Sequence, residues 1–275
     1  MTGRRSGRLF ARHGGDGDHV VILLHGLVAS GDVFGAAFDS LTSQSELLVP
    51  DLLGFGRSID EKKSTFELEE HLDALDELVS RAAAFDRPFV LGTHSMGASV
   101  ALHWSARHPG HVPHISCWGA PVYPDPAAVN AALGAAGTMA RLFVADTRWA
   151  SWACRMSCRN RLAAGWIAAA LSPSLPVPIA RGASAHTWPA YRDAITHFVL
   201  EPDWRSLVEV ASRAGADVSF TWGEEDPIGD KELACSFADA LVDSVAGADH
   251  RLPMSHGAMC ATRLRATMAD RETRG

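Results

Sequence analysis

Cysteine is scarce in this chain, with five among 275 residues, and the odd number excludes a scaffold built on disulfide bonds. Long apolar runs are also missing. Residues 20–24 are far too short a stretch to span a bilayer, and the uncharged stretch 162–179 contains three prolines that would break a spanning helix. The first twelve residues lack the apolar core of a secretory signal. We therefore expect a cytoplasmic protein with reduced thiols and no stable membrane insertion.

An excess of basic charge is absent as well. The chain has 25 Lys and Arg against 32 Asp and Glu, for a formal net charge of -7. Because nucleic-acid-binding proteins depend on a basic surface, we expect no nucleic-acid partner. The composition, 47% hydrophobic and 21% charged, is that of a globular protein and excludes disorder over most of the length.

Short apolar segments with strand character alternate with segments of helical periodicity. This alternation predicts a parallel sheet with crossover helices. The predicted strands lie at residues 20–24, 47–49, 89–91, 115–118 and 218–222, and the predicted helices at 66–84, 99–107 and 258–268.

Residues 121–204 differ from the rest of the chain. They are rich in Ala, Trp and Pro, and they show helical periodicity without obvious strands. We predict a helical cap or lid here, inserted into a core formed by residues 1–120 and 205–275, because so long a connection inside a compact domain is usually functional. The alternative is a helical layer that only completes the core. Cys154 and Cys158 are predicted to be ordinary helix residues, since no second close pair or paired histidine completes a zinc site, and no metal is expected.

The segment 92–98 reads Gly-Thr-His-Ser-Met-Gly-Ala, directly after a predicted strand and directly before a predicted helix. A serine on such a strained turn needs small neighbours, and Gly97 supplies one two residues after Ser95. Thr93 stands where the G-x-S-x-G pattern has its first glycine, and its β-branched side chain is expected to crowd the turn. We predict that Ser95 is a nucleophile, helped by the partial positive charge of the helix start beside it.

Acyl transfer also requires donors for the oxyanion that develops, and removing one such donor costs roughly 3–4 kcal/mol. The backbone N–H groups of Met96 and Leu27 are predicted to form this oxyanion hole. The alternative for His25-Gly26 is a plain tight turn. The loop at residues 51–58 lacks the phosphate-loop pattern, so we predict a structural role for it near the mouth of the site.

A serine needs a base, and the base needs a carboxylate that orients it. In doubly wound sheets such groups follow the carboxyl ends of strands. Asp226 follows the strand at 218–222 and is the predicted acid, with a solvated acidic turn as the alternative. Among 13 histidines, His250 is predicted to be the base and His256 is the alternative. His94 is predicted to pack against the pocket or line it.

Together these motifs resemble the α/β-hydrolase family, whose triad order is nucleophile, acid, histidine. The resemblance covers residues 18–120 and 205–268. It implies an α/β fold with eight mostly parallel strands flanked by helices, a helical cap after the sixth strand, and no cofactor. It implies Ser95 as nucleophile, His250 as base, Asp226 as orienting acid, and Leu27 with Met96 as oxyanion hole. The motifs that carry it are His25-Gly26, Asp51 with Gly54-Phe55-Gly56-Arg57-Ser58, His94-Ser95-Met96-Gly97, Gly223 with Asp226, and Ala248-Asp249-His250.

We therefore expect a serine hydrolase of a carboxylic ester or similar acyl substrate, working through an acyl-enzyme. A carbon–carbon bond hydrolase, a lyase and an acyltransferase on the same triad are alternatives, because the cap and pocket decide between them. A ligand-binding module of low turnover is a further alternative, and Thr93 is the residue that supports it. Ser95 argues against haloalkane dehalogenases and epoxide hydrolases, which place an aspartate there.

Aromatic side chains in the predicted cap bear on the substrate. Trp149, Trp152 and Trp188 are predicted to bind it by lining an apolar acyl pocket, and packing within the cap is the alternative. The arginines nearby are predicted to form a solvated helix face. We expect a modest, mostly uncharged ester as the small-molecule substrate.

Overall fold

The computed structural model describes residues 1–82, 84–135, 148–173, 175–238 and 240–272. Its centre is an eight-stranded sheet with the order β1-β2-β4-β3-β5-β6-β7-β8. The two pairings made by β2 are antiparallel and the others are parallel, so the predicted fold class, a mostly parallel sheet flanked by helices, is confirmed. The strands are β1 Thr2–Ser6, β2 Leu9–Gly14, β3 His19–Leu24, β4 Ser45–Asp51, β5 Phe89–His94, β6 His114–Trp118, β7 Asp217–Gly223 and β8 Ala240–Val245.

Helices follow most of the strands and cover both faces of the sheet. Short 3-10 turns occur at Gly31–Val33, Ser40–Ser43 and Gly56–Ser58, and a π-helical turn at Thr196–Leu200. In the part of the chain described, the α-helices are α1 Ala36–Asp39, α2 Leu68–Arg81, α3 Gly97–Arg107, α4 Pro126–Ala135, α5 Arg148–Arg159, α6 Arg161–Leu171, α7 Val177–Gly182, α8 Trp188–Ile195, α9 Trp204–Arg213, α10 Lys231–Cys235, α11 Leu252–Ser255 and α12 Gly257–Glu272.

The central strand β3 shows why its sequence is continuously apolar. Val20 and Ile22 belong to the hydrophobic core on one face of the sheet, and Val21 and Leu23 belong to the core on the other face. Because successive side chains of a strand point to opposite faces, a strand covered by helices on both sides needs apolar residues at every position. β3 therefore lies in the middle of the molecule, and the turn at its carboxyl end is held firmly.

The hairpin of β1 and β2 was not predicted from the sequence. β1 is the exposed edge strand and is rich in arginine, so it has no apolar pattern. In β2 only Leu9 and Ala11 are fully buried, at alternate positions. An exposed edge strand and its half-buried neighbour carry a weaker sequence signal than central strands, which is why neither was predicted.

Between β6 and β7 the described residues form the helices α4 to α9, as the periodicity of the sequence predicted. The last part of this segment packs on the helices over the sheet. The ring of Phe198 lies 5.0 Å from that of His71 in α2, and the Phe66 N–H donates to Asp193 at 2.8 Å. The division into a core and a cap at residues 121–204 stays a prediction. Across the described ranges, no helix has both the length and the apolarity to cross a membrane.

Candidate active site

Ser95 lies on the sharp turn between β5 and α3, in the backbone conformation that the motif predicted. Its φ is 53°, in the left-handed region, where a non-glycine residue costs on the order of 1–3 kcal/mol. The surrounding backbone holds it there. The Ser95 N–H donates to the carbonyl of Trp118 at 2.9 Å, and the Ser95 carbonyl accepts from the N–H of Ala98 at 3.0 Å. Strain of this kind presents a serine hydroxyl at the carboxyl edge of a sheet.

Two glycines make room for this turn. A Cβ on Gly97 would lie 2.3 Å from the carbonyl oxygen of Leu24, so no side chain fits there. A Cβ on Gly26 would lie 2.9 Å from the Cβ of Ser95. The turn after β3 and the turn after β5 therefore approach each other so closely that each needs a glycine.

Contrary to expectation, Thr93 does not crowd the turn. Its side chain is buried, and its hydroxyl donates to the carbonyl of Ser116 on the neighbouring strand β6 at 3.0 Å. The crowded position is one residue earlier, at Gly92, where a Cβ would lie 2.7 Å from Leu23 and 2.8 Å from Trp118. The threonine that replaces the first glycine of G-x-S-x-G is thus accommodated between β5 and β6.

Asp226 and His250 are brought together at the carboxyl ends of β7 and β8. The Nδ1–H of His250 faces both carboxylate oxygens of Asp226, at 3.1 and 3.0 Å. The carboxylate is buried and also accepts from the N–H of Ile228 at 2.8 Å. A histidine that donates through Nδ1 keeps its Nε2 lone pair available as a base.

The loops that carry these two residues are joined by backbone hydrogen bonds. The N–H groups of Glu224 and Glu225 donate to the carbonyls of Val245 and Ala248 at 3.0 and 2.9 Å, while both glutamate side chains are exposed. The alternative base, His256, lies at the end of α11, where its Nδ1 is 2.9 Å from the hydroxyl of Ser255. The structure therefore places His250, rather than His256, on the acid.

His94 connects the serine turn to the histidine loop, a contact the sequence did not predict. Its Nε2–H donates to the backbone carbonyl of His250 at 2.8 Å, and the two rings lie 4.9 Å apart. Burial, and then the neighbouring His250, lower the pKa of His94 to about 3, so its ring is neutral. His250 is thereby held against the residue that precedes Ser95, although among the described residues no hydrogen bond joins the side chains of His250 and Ser95. Such bonds are often long before substrate binds.

Gly119, at the end of β6, completes this arrangement and was also missed. A Cβ there would lie 3.0 Å from both the Oδ2 of Asp226 and the Nδ1 of His250, and its φ is 60°. A glycine directly after a predicted buried strand was the only signal in the sequence.

The predicted oxyanion donors lie in the turns after β3 and β5. Within the described ranges, neither the Leu27 N–H nor the Met96 N–H has a backbone acceptor. Val28, directly after Leu27, has φ 57°, a strained conformation for a β-branched residue. His25 fixes the turn from inside. Its Nδ1–H donates to the carbonyl of Gly26, and its Nε2 accepts from the Leu52 N–H, both at 2.8 Å. Burial lowers the pKa of His25, which favours this neutral form.

The loop at residues 51–58 surrounds a buried carboxylate. Asp51 accepts from the N–H of Gly31 at 2.8 Å and from the backbone and Nε of Arg57 at 2.7 Å. Burial acts to raise the pKa of Asp51, but the hydrogen bonds from Arg57 outweigh it and lower the pKa. These partners leave the carboxylate fully occupied, in agreement with a structural role.

The tryptophans predicted to bind substrate lie in the helices between β6 and β7. Trp152 is exposed on α5. Trp188, at the start of α8, stacks on Tyr191 with 5.9 Å between the ring centroids. The guanidinium of Arg155 lies over the Trp188 ring, 5.6 Å from its centroid. The side chain of Trp149 lies outside the described residues. Trp188 also packs against the hydrophobic core, and none of these described contacts joins it to Ser95 or His250.

The same segment contains a group that could hold a metal. Cys154 and Cys158 on α5 meet His186, which lies 32 residues after Cys154. The prediction that no histidine completes a zinc site missed His186. Its separation along the chain from Cys154 is far outside that of usual zinc motifs.

A family model for the alpha/beta hydrolase fold matches residues 19–147 of this chain. The chain has the α/β-hydrolase fold. The chain is similar in structure to a thermophilic esterase from Thermogutta terrifontis, with a TM-score of 0.67 over 95% of this chain and 94% of that one. At 19% identity this likeness shows the fold alone.

Curated relatives match a shorter part of the chain. It is 31% identical over 117 residues to the probable lysophospholipase BODYGUARD 2 of Arabidopsis thaliana, which covers 41% of this chain and 25% of that protein. It is 34% identical over 104 residues to a 1-acylglycerol-3-phosphate O-acyltransferase of the same plant, which covers 36% and 24%. The matched part is about a quarter of each relative's length.

Proposed function

We propose that this α/β hydrolase cleaves a carboxylic ester or similar acyl substrate through an acyl-enzyme on Ser95. One observation carries the proposal. The buried carboxylate of Asp226 holds Nδ1 of His250, whose backbone is bonded in turn by the residue that precedes the strained Ser95. A serine in a strained turn beside a carboxylate-bound imidazole is the arrangement that nucleophilic acyl transfer requires.

The chemistry follows from these positions. Nε2 of His250 accepts the hydroxyl proton of Ser95 while the Oγ forms a bond to the carbonyl carbon. The oxyanion accepts hydrogen bonds from the N–H groups of Leu27 and Met96. When the tetrahedral intermediate collapses, the alcohol leaves with the proton from His250. A water molecule then attacks the acyl-enzyme with the same base, which releases the acid and restores Ser95.

The class of acyl group is the next part of the proposal. Two relatives are named for a lysophospholipase and an acylglycerol-phosphate acyltransferase, which supports an ester with an acyl chain of some length. Transfer to an alcohol other than water differs from hydrolysis only in the second attack. A cytoplasmic location and a small-molecule substrate complete the proposal. Acyl-chain preference is measured with p-nitrophenyl esters of increasing length, alongside a lysophospholipid with and without a glycerol-phosphate acceptor.

The first experiment is intact-mass analysis after exposure to a fluorophosphonate. We expect a single adduct on the wild-type chain and none on Ser95→Ala, whose turnover should fall on the order of 10⁶-fold, as in a serine protease. His250→Ala should also abolish labelling, whereas His256→Ala should not. An adduct that persists in Ser95→Ala would assign the nucleophile elsewhere. A wild-type chain that neither takes the label nor hydrolyses any activated ester would refute the proposal.

A further inference from the structure

Three side chains that could ligate a metal meet away from Ser95, in the helical segment between β6 and β7. Cys154 and Cys158 lie one turn apart on α5, and His186 lies between α7 and α8. All three are buried, with His186 only 3% exposed. Their ligand atoms lie within 4.8 Å of one another. Within the described ranges, no fourth Cys, His, Asp or Glu joins the group.

Two of the three distances between the ligand atoms are close to those of a zinc site. Tetrahedral zinc with Zn–S bonds of about 2.3 Å and Zn–N bonds of about 2.0–2.1 Å places two sulfurs about 3.8 Å apart and a sulfur and a nitrogen about 3.6 Å apart. The two Sγ atoms of Cys154 and Cys158 are 3.8 Å apart, and Cys154 Sγ is 3.9 Å from His186 Nε2. All three ligand atoms lie within 4.8 Å of one another, so an imidazole movement on the order of 1 Å toward Cys158 is enough to complete a tetrahedral set.

The group is also poorly satisfied as it stands. The Nδ1 of His186 is buried with no hydrogen-bond partner in the described ranges, and its Nε2 faces a thiol sulfur. Buried polar groups without partners are uncommon in folded proteins, and such a group can mark the place where an ion binds.

We propose that Cys154, Cys158 and His186 bind a zinc ion, with the fourth position open to water. Binding deprotonates both thiols, so two protons pass to solvent for each ion bound, and no oxidant or reductant takes part. Thiolate and imidazole ligands favour zinc, whereas magnesium and calcium bind preferentially to oxygen ligands.

The position of the site indicates what the ion does. The Gly56 N–H donates to the carbonyl of Ala185 at 2.7 Å, and Phe55 forms a β-bridge with His186. The ring of Phe55 in turn lies 5.9 Å from His25, in the turn that carries Leu27. The ion would therefore fasten α5 to the loop that lies against the candidate active site. Its function is structural, since none of its ligands contacts Ser95 or His250.

Cobalt titration of the metal-free protein, with its thiols reduced, tests the proposal. Co²⁺ substitutes for zinc and reports thiolate ligands by a near-ultraviolet charge-transfer band and tetrahedral geometry by visible bands. We expect saturation at one equivalent, displacement by Zn²⁺, and the release of two protons. The experiment is performed on Ser95→Ala as well, because binding there should be unchanged whether or not the proposed hydrolase function is correct.

Variants separate a specific site from loose binding. Cys158→Ser and His186→Gln should weaken Co²⁺ binding by on the order of 100-fold or more, since even residues behind the ligands contribute 10–100-fold. Cys235→Ser, which alters an exposed thiol, should bind as the wild type does. Zn²⁺ should raise the melting temperature of the wild type and of Cys235→Ser, but not of Cys158→Ser. Absence of the charge-transfer band in the wild type, or equal binding in all three variants, would overturn the proposal.

Discussion

The Nε2–H of His94 donates to the backbone carbonyl of His250 at 2.8 Å, so the neighbour of the proposed nucleophile holds the loop of the proposed base. Because a displacement of about 1 Å can cost roughly 100-fold in rate, the hydrogen bond should matter for catalysis without touching substrate. His94→Leu should lower kcat by about 10- to 100-fold, leave KM nearly unchanged, and alter the pH profile of kcat/KM.

His94→Gln serves as the matched variant, since its amide can donate from a similar position. It should recover most of the lost kcat and the wild-type pH profile. Equal losses of kcat in the two variants would show that His94 acts through packing alone.

The Asp226 carboxylate is expected to fix the orientation and tautomer of His250. Asp226→Asn keeps the shape of the side chain but removes its charge, and kcat should fall on the order of 10⁴-fold, as in the serine protease triad. The matched control is Glu225→Gln, which neutralises the adjacent, exposed carboxylate. Steady-state hydrolysis of an activated ester measures both. A similar loss in the two variants would remove the distinction between a buried orienting acid and general negative charge.

Gly119 is expected to be required for activity because of its contacts as well as its backbone. In Gly119→Ala the new Cβ would lie 3.0 Å from both Asp226 and His250, so the pair must shift and kcat should fall at least tenfold. The left-handed φ of 60° adds a stability cost of about 1–2 kcal/mol.

Gly110→Ala isolates the stability cost of the left-handed backbone, since Gly110 has φ 80° and a Cβ there would meet nothing within 4 Å. Both variants should lose comparable stability in urea denaturation, but only Gly119→Ala should lose activity. Retention of full activity by Gly119→Ala would contradict the role assigned to the close contact.

Acid should destabilise the protein through its buried histidines. Burial, and then His197, lower the pKa of His71 to about 3 from an ordinary 6.5. Between these values the unfolded chain binds a proton that the folded chain does not, so the free energy of unfolding falls as the pH drops below 6.5. One such group lowers the free energy of unfolding by up to about 1.4 kcal/mol for each unit by which the pH falls in this range. His71→Leu should therefore flatten the decline, measured by urea denaturation at several pH values from 6.5 downward.

The control for this experiment is His111→Leu, which changes an exposed histidine. Its stability should follow the wild-type dependence on pH. An unchanged slope in His71→Leu would mean that the buried imidazole is not the source of the acid sensitivity.

Local patterns in the sequence were enough for the fold class and for the elements that carry the candidate site. The strand before Ser95 is buried throughout and begins with three apolar residues, and the strand before Asp226 is buried at five of its seven positions, which makes both easy to recognise. The edge strand β1 and its neighbour β2 were not predicted, because β1 is almost entirely exposed and β2 is fully buried at only two positions. The serine turn was recognisable because its requirement for Gly97 is imposed within a few residues of chain.

The sequence by itself thus determined the five central strands of the sheet, the strained serine turn and the order of the proposed triad, since each depends on neighbours along the chain or on strand burial. Only the tertiary structure decided which distant groups touch. It placed His250 rather than His256 on Asp226, bonded His94 to the backbone of His250, and set Gly119 against both members of that pair. It also brought His186 to Cys154 and Cys158. These contacts depend on how loops from separate strands and helices pack, and no local pattern of residues encodes that packing.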